Sequence, residues 1–254
     1  MRARRDIQNW WAVQAMIASY NHVYSVVYDT TYHDLGAIGV SAYGNAPIAA
    51  YQNEFFALDP DPQTVVQAVR AYPHEPYARH VLNVFFDTIS DSGPTAEYEQ
   101  LGYEPVRSGP LLGLELGASL RPNAYPVRPV KMLREVELAN QSLADEGEYI
   151  SPKTLRQEHI HTFIAEANGQ AAGWAQMVTI HPKVAYLNQL FVMKGFRRGQ
   201  MGSSLLQRAQ MDAAVLGMDH LVLIPSDMAA EMVAKLGYQA LVYFTALRPR
   251  DEHK

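Results

Sequence analysis

The 254-residue chain contains no cysteine, which excludes a disulfide scaffold, a thiolate metal site and a cysteine nucleophile together. That absence suits a reducing compartment. No apolar run approaches the roughly 20 residues of a membrane span. The basic start Met1–Arg5 leads into a stretch that Gln8, Asn9 and Gln14 interrupt, and its pair Trp10 and Trp11 fits a helix better than a signal peptide. Charged residues are only 19% of the chain, against 48% hydrophobic and 10% aromatic, with 16 Gly and 15 Pro. This composition excludes a disordered polymer and leaves ample core for one large or two ordinary domains. A cytoplasmic protein without a membrane partner is expected.

What charge there is lies unevenly. Residues 1–117 hold 6 Lys/Arg and 13 Asp/Glu, net −7, whereas residues 118–254 hold 15 and 13, net +2. An acidic first half disfavours phosphate and nucleic acid and suits a cationic neighbour, while the second half can carry a phosphorylated ligand. An ordinary solvated surface explains the same asymmetry.

A repeat reorganises the reading. Tyr98-Glu99-Gln100-Leu101-Gly102-Tyr103-Glu104 matches Val233-Ala234-Lys235-Leu236-Gly237-Tyr238-Gln239 at an offset of 135 residues. A histidine opens an apolar run upstream of each, His80–Phe86 and His220–Ile224, and Val106–Leu116 and Ala240–Leu247 follow downstream. Strand, short helix, Leu-Gly-Tyr, strand thus occurs twice. The boundaries follow: one unit over residues 1–117, a linker at Gly117–Pro129, and a second unit over 125–254.

In the second unit, Leu133–Ala144 reads as an amphipathic helix. Ile160–Glu166 and Ala171–Ile180 form a hairpin across Asn168-Gly169. Tyr186–Val192 is a third strand, Met201–Leu216 a helix, Leu221–Ile224 a strand and Met228–Leu236 a helix ended by Gly237. The fold class is α/β with a mixed sheet.

Between the third strand and its helix runs Lys194-Gly195-Phe196-Arg197-Arg198-Gly199-Gln200-Met201-Gly202-Ser203-Ser204. A Gly/Arg loop entering a helix aims backbone N–H groups, a helix dipole and two guanidiniums at one spot, which suits a pyrophosphate. It lacks the Gly-Lys-Ser/Thr of a Walker loop and the Gly-x-Gly-x-x-Gly of a dinucleotide fold. A basic turn before an amphipathic helix would read similarly.

Over residues 125–247 this succession resembles the GNAT superfamily of acyl-CoA-dependent N-acyltransferases, whose loop reads Gln/Arg-x-x-Gly-x-Gly/Ala. Two tandem GNAT-like domains are therefore expected. The resemblance implies that Arg197, Arg198, Gly199, Gln200, Met201, Gly202 and Ser203 bind the coenzyme A pyrophosphate. It also implies that the backbone of Leu190, Phe191 and Val192 pairs with the pantetheine amides. Gln200 stands where the family has a glycine, and a left-handed conformation there would cost about 1–2 kcal/mol. In the first copy, Phe55–Leu58 passes through Asp59-Pro60-Asp61-Pro62 into a helix from Gln63 to Ala71. Carboxylates repel a pyrophosphate and prolines remove N–H donors, so no cofactor is expected there. That copy would wall the acceptor cleft. Ten of the 15 tyrosines precede residue 104 and suit either a cationic ligand or plain packing.

An amine of pKa near 10 must lose a proton before it attacks a thioester, at a cost of about 4 kcal/mol at pH 7. Where the family often has a carboxylate base, this chain has Asn188 and Gln189, able only to hold a relay water. His159, His161, Glu166 and His181 are the nearest ionisable residues, with Glu166 expected on the solvated surface. The histidines lack the company a metal site needs. The family's tyrosine acid is replaced by Val233, and Tyr98 holds the equivalent place in the first copy. Ser226 falls where an asparagine often contacts the cofactor arm, or it caps the following helix. The resulting expectation is an acetyl-CoA-dependent N-acetyltransferase acting on a small amine, with a homodimer as its candidate assembly and no metal. A non-catalytic acyl-CoA sensor, a protein-docking module and a scaffold without coenzyme are the alternatives.

Overall fold

The computed structural model describes residues 7–43, 53–73, 79–87, 92–117 and 125–250. The basic start Met1–Arg5 and residues 118–124 of the expected linker lie outside them. In chain order the elements are α1 (Trp10–Tyr28), β1 (Thr31–Asp34), β2 (Ile38–Ala42), β3 (Asn53–Ala57), α2 (Pro62–Ala71), β4 (His80–Phe86), α3 (Ser92–Gln100) and β5 (Tyr103–Glu115). They continue with β6 (Val127–Pro129), α4 (Leu133–Leu143), β7 (Ile160–Ala167), β8 (Gln170–Val178), β9 (Val184–Val192), α5 (Met201–Val215), β10 (His220–Leu223), α6 (Ala230–Lys235) and β11 (Gln239–Pro249). Both copies run strand, strand, strand, helix, strand, helix, strand.

The chain forms two compact units that do not follow it linearly. Unit 1 comprises Met1–Gln14, Tyr28–Leu111 and Ala240–Lys254; unit 2 comprises Ala15–Val27 and Leu112–Gln239. In unit 1 the strands lie in the order β1-β2-β3-β4-β11-β5. The β2–β3 ladder is antiparallel, with Ile38 opposite Ala57 and Ala42 opposite Asn53, and β3 and β4 are parallel. One face carries α2, whose Val65, Val66 and Val69 fall on a single helical stripe and bury against Phe55, Leu82, Val84 and Tyr98.

Unit 2 has the order β6-β7-β8-β9-β10, completed by the end of β5, where Leu112–Glu115 pairs antiparallel with His220–Leu223. Asn168 (φ 53°) and Gly169 (φ 78°) turn the β7–β8 hairpin with both residues left-handed, which matches the twist of the strands. Helix α5 buries Leu205, Leu206 and Ala209 against Phe163, Met177, Leu187 and Leu221. On the other face α4 places Val136 and Leu143 over Ile164 and Trp174, and Val23 of α1 meets Ile160 and Val178.

The repeat holds down to the backbone. Gly102 (φ 94°) and Gly237 (φ 90°) end the two short helices, a conformation costly for any residue with a Cβ. The tyrosine after each is buried, with Tyr103 near His80 at 3.3 Å and Tyr238 accepting from Gln210 Nε2 at 3.2 Å. The strands that follow are exchanged. The end of β5 completes the sheet of unit 2, and β11, the last strand of the chain, pairs with β4 in unit 1, Tyr243 opposite Phe86. Each central strand thereby gains a partner for its otherwise open backbone edge.

Candidate active site

Strand β9 is where unit 2 departs from a regular ladder. Its pairing with β10 stops at Leu187 opposite Leu223, yet β9 runs on to Val192 along β8. Against β8 the register holds from Val192 opposite Gly173 to Gln189 opposite Gln176, then slips so that Met177 faces Leu187. Asn188 is the extra residue of a β-bulge, which bends its strand away from the regular sheet. The Met193 N–H bonds to Ala172 O at 2.9 Å, so by strand alternation Val192 and Leu190 turn their backbone groups to the edge that β10 has left.

The Gly/Arg loop follows at the end of that edge. Lys194–Phe196 make a 3-10 turn, pinned by Glu146, which accepts the Lys194 N–H at 3.1 Å and lies 3.7 Å from its Nζ. Arg197 folds back: its Nε donates to Val192 O at 2.9 Å and its guanidinium lies 5.9 Å from the centre of the Phe191 ring. Arg198 is exposed and makes no side-chain bond among the described residues. Arg198 (φ 63°) and Gln200 (φ 67°) are both left-handed, so Gln200 adopts the strained conformation that its glycine-like position demands. Helix α5 then starts without a side-chain cap, and its first backbone bond joins Ser204 N–H to Gln200 O at 3.0 Å. The amides of Met201, Gly202 and Ser203 precede that bond and form the positive end of the helix.

Two glycines make this crowding possible. A Cβ on Gly173 would lie 2.8 Å from the Phe191 carbonyl, and one on Gly202 would lie 3.2 Å from Met232 Sδ and 3.7 Å from Val192 Cγ2. Gly199 lies under the Tyr125 hydroxyl, 3.3 Å from the position of its Cβ, and the Tyr125 N–H bonds to Ser204 Oγ at 3.1 Å. The helix start is thus held against the strand end with its donors left open.

Other expected residues fall as follows. Asn188 donates to Gln176 Oε1 at 3.2 Å, and Gln176 is buried, a contact that only the pairing register brings about. Gln189 is exposed. Ser226 is exposed, its carbonyl accepting from Ala229 and Ala230, while α6 starts two residues later than expected with Ala229 as its uncapped N-terminal residue. Val233 and Tyr98 are both core residues. Glu166 is ion-paired rather than simply solvated: Arg128 bridges it at 2.7 Å to Glu135, which caps α4 by accepting the Lys131 and Met132 N–H groups.

The histidines lie apart from the loop. His161 sits on β7 opposite Met177, two strands or roughly 10 Å from β9, with Nε2 3.1 Å from Thr179 Oγ1. Burial holds it below the usual imidazole range, against an upward pull from Asp212. His159 lies 6.2 Å from the His22 ring. Burial lowers His22 and His181 as well. Among the described residues no group of three or more His, Cys, Asp or Glu is placed to hold a metal, and no helix is long and apolar enough to cross a membrane.

The equivalent junction of unit 1 is closed. Its β2–β3 ladder has no slip, and β3 stays paired with β4 as far as Phe56. Asp61 caps α2, accepting the Thr64 N–H at 2.8 Å and hydroxyl at 2.5 Å, and Pro62 follows. These bonds hold the Asp61 carboxyl below its usual range.

Comparison with known proteins agrees with this geometry. Residues 128–238 match the model of the acetyltransferase (GNAT) family. A GCN5-related N-acetyltransferase from Kribbella flavida is similar at 18% identity, with 94% of this chain and 96% of that one covered and a TM-score of 0.65. A tandem GNAT protein from the clavulanic acid biosynthesis pathway is similar at 14% identity, with 95% of each chain covered and a TM-score of 0.57. A GNAT-family acetyltransferase structure from Novosphingobium aromaticivorans gives 13% identity, coverage of 92% and 97%, and a TM-score of 0.54. No curated protein matches the sequence. The chain is therefore an α/β protein of the tandem GNAT fold, and its residues 128–238 are similar to the GNAT acetyltransferase family.

Proposed function

We propose that the protein is an acetyl-CoA-dependent N-acetyltransferase of a small amine, working in the cytoplasm, with the coenzyme held by unit 2 and none held by the first copy. One observation carries this reading: the unpaired edge of β9 and the uncapped start of α5 meet at the same place. The edge at Leu190 and the Val192 N–H offers strand-like hydrogen bonds to pantetheine amides, while the Val192 carbonyl is held by Arg197. The amides of Met201, Gly202 and Ser203 with Arg198 offer donors and charge to a pyrophosphate. Gly199 and Gly202 let the backbone come close, and Arg197, braced on Val192 and Phe191, shapes the corner between the two.

Bound acetyl-CoA supplies an activated thioester carbonyl. The backbone at the bulge polarises its oxygen, and the acceptor amine attacks directly, held in near-attack geometry. As the C–S bond breaks, Asn188, bonded to Gln176, orients a water that relays the amine proton to the departing coenzyme A thiolate, because neither amide is a base. No covalent acyl-enzyme is expected, as the chain has no cysteine and no serine in a nucleophile elbow. The buried Val233 in place of an acid, with Asn188 and Gln189 in place of a carboxylate, supports a second reading, an acyl-CoA sensor without turnover.

Thermal shift with acetyl-CoA, followed by thiol release across a panel of amines, separates the readings. The enzyme stabilises and turns over; the sensor stabilises only. A scaffold without coenzyme shows no shift, which would refute both.

A further inference from the structure

Unit 1 carries polar groups that the closed junction does not use. Glu54 on β3 is half-buried, and its carboxylate accepts the Tyr43 hydroxyl at 2.7 Å and Asn83 Nδ2 at 2.8 Å. Tyr43 and Asn83 are themselves buried. No cation pairs with Glu54 among the described residues. A carboxyl group held by two neutral donors has lone pairs to spare.

Two buried donors on the same sheet face have no acceptor. Glu54 lies opposite Ser41 and Phe56 opposite Gly39, so Gly39 is the diagonal neighbour of Glu54, on its face. Tyr32 lies over Gly39, its hydroxyl standing where a Cβ would be, and that hydroxyl is buried without a hydrogen-bond partner. Burial pushes its pKa up to about 12, so it remains a donor. Asn83 pairs with Phe56, and Phe85, two residues on, meets Trp10 edge-on at 5.9 Å. Trp10 is 4% exposed and its Nε1 has no partner either. Buried donors without a partner are rare in folded proteins and call for an occupant.

We propose that this face of unit 1 is a ligand site for a small molecule carrying an ammonium close to an oxygen acceptor, such as an amino acid, amino amide or amino alcohol. Glu54 takes the ammonium and the Tyr32 hydroxyl takes the oxygen, with Trp10 as a further donor. Diagonal neighbours in an antiparallel pair lie roughly 7–8 Å apart, a span that such a molecule fits. The net charge of −7 over residues 1–117 favours entry of a cation.

Titration calorimetry on the full chain tests it with glycine, glycinamide and ethanolamine as probes, and with propylamine and propionate as partial mimics. At least one of the first three should bind saturably, propylamine more weakly and propionate not at all. Glu54→Gln should weaken binding at least tenfold while leaving the thermal shift with acetyl-CoA intact. Tyr32→Phe removes an unsatisfied hydroxyl, so it should raise Tm without ligand and weaken binding, which keeps the test valid if the Glu54 variant folds poorly. Absence of saturable binding by all three probes, or binding unchanged in both variants, overturns the proposal whatever the result with acetyl-CoA.

Discussion

Strand β9 outruns its last pair with β10 by five residues, from Leu187 to Val192, and leads to a helix whose first amides are uncapped. Strand β3 ends one residue beyond its last pair with β4, at Ala57, and leads to a helix capped by Asp61. One layout is thus open in one copy and closed in the other. Opening takes three changes together: an extra residue at Asn188 that bends the strand, a loop long enough to pass two left-handed residues, and a helix start without its own anion. A carboxylate cap and an external diphosphate compete for the same donors, and in unit 1 the cap Asp61 already takes the Thr64 N–H.

The comparison breaks most readily at the loop charge. Arg198→Glu replaces an attraction with a repulsion at a site built from charge-assisted bonds worth about 1.5–3 kcal/mol each, so acetyl-CoA affinity should fall about 100-fold or more by calorimetry. An unchanged affinity would move the coenzyme elsewhere. The converse graft, Asp59→Gly with Asp61→Arg, should give no binding to unit 1, because it supplies charge without the unpaired strand edge; a second coenzyme equivalent would show that the edge is dispensable.

Smaller effects sharpen the geometry. Gly173→Ala drives a Cβ into the Phe191 carbonyl at 2.8 Å, which should cost about 1–3 kcal/mol, seen as a lower urea midpoint together with weaker acetyl-CoA binding. Gln200→Gly removes left-handed strain and should stabilise by about 1 kcal/mol, a Tm rise of roughly 2–4 °C for a chain of this size, with coenzyme binding retained. A fall in Tm would mean that the Gln200 side chain makes a contact outweighing the strain.

The smallest expected effect is pH dependence. Burial lowers the folded-state pKa of His22, His161 and His181, all in unit 2. Below the ordinary imidazole pKa of about 6.5, the unfolded chain therefore binds more protons than the folded one. Stability is full above that pH and declines as pH falls through it toward the lowered folded values. Thermal melts at pH 7.5 and 5.5 should differ in that direction, and the difference should shrink in His161→Gln.

Much of unit 2 is legible from residue order. The Asn168-Gly169 hairpin, the helix after the Gly/Arg loop, and the Leu-Gly-Tyr turns all rest on local rules of backbone conformation, and the structure places them within a few residues. The positive φ of Gln200 follows from its position in the loop pattern. The bulge at Asn188 and its bond to Gln176 leave no local trace, because both depend on how a strand registers against its neighbour. The same holds for Glu146, 48 residues before Lys194, which reaches the loop only after folding. Arg197 reads as a phosphate ligand from sequence, yet it braces Val192 and Phe191.

By itself the sequence determined the repeat, the mixed α/β class and the chemical contrast between the Gly/Arg and Asp/Pro junctions, because each is a matter of short-range propensity, periodicity and charge. Only tertiary structure decided which strands complete which sheet, where β9 parts from β10, and which donors remain without acceptors. Those outcomes turn on pairing between residues distant in the chain, and a backbone hydrogen bond carries no record of its partner in the residues that make it.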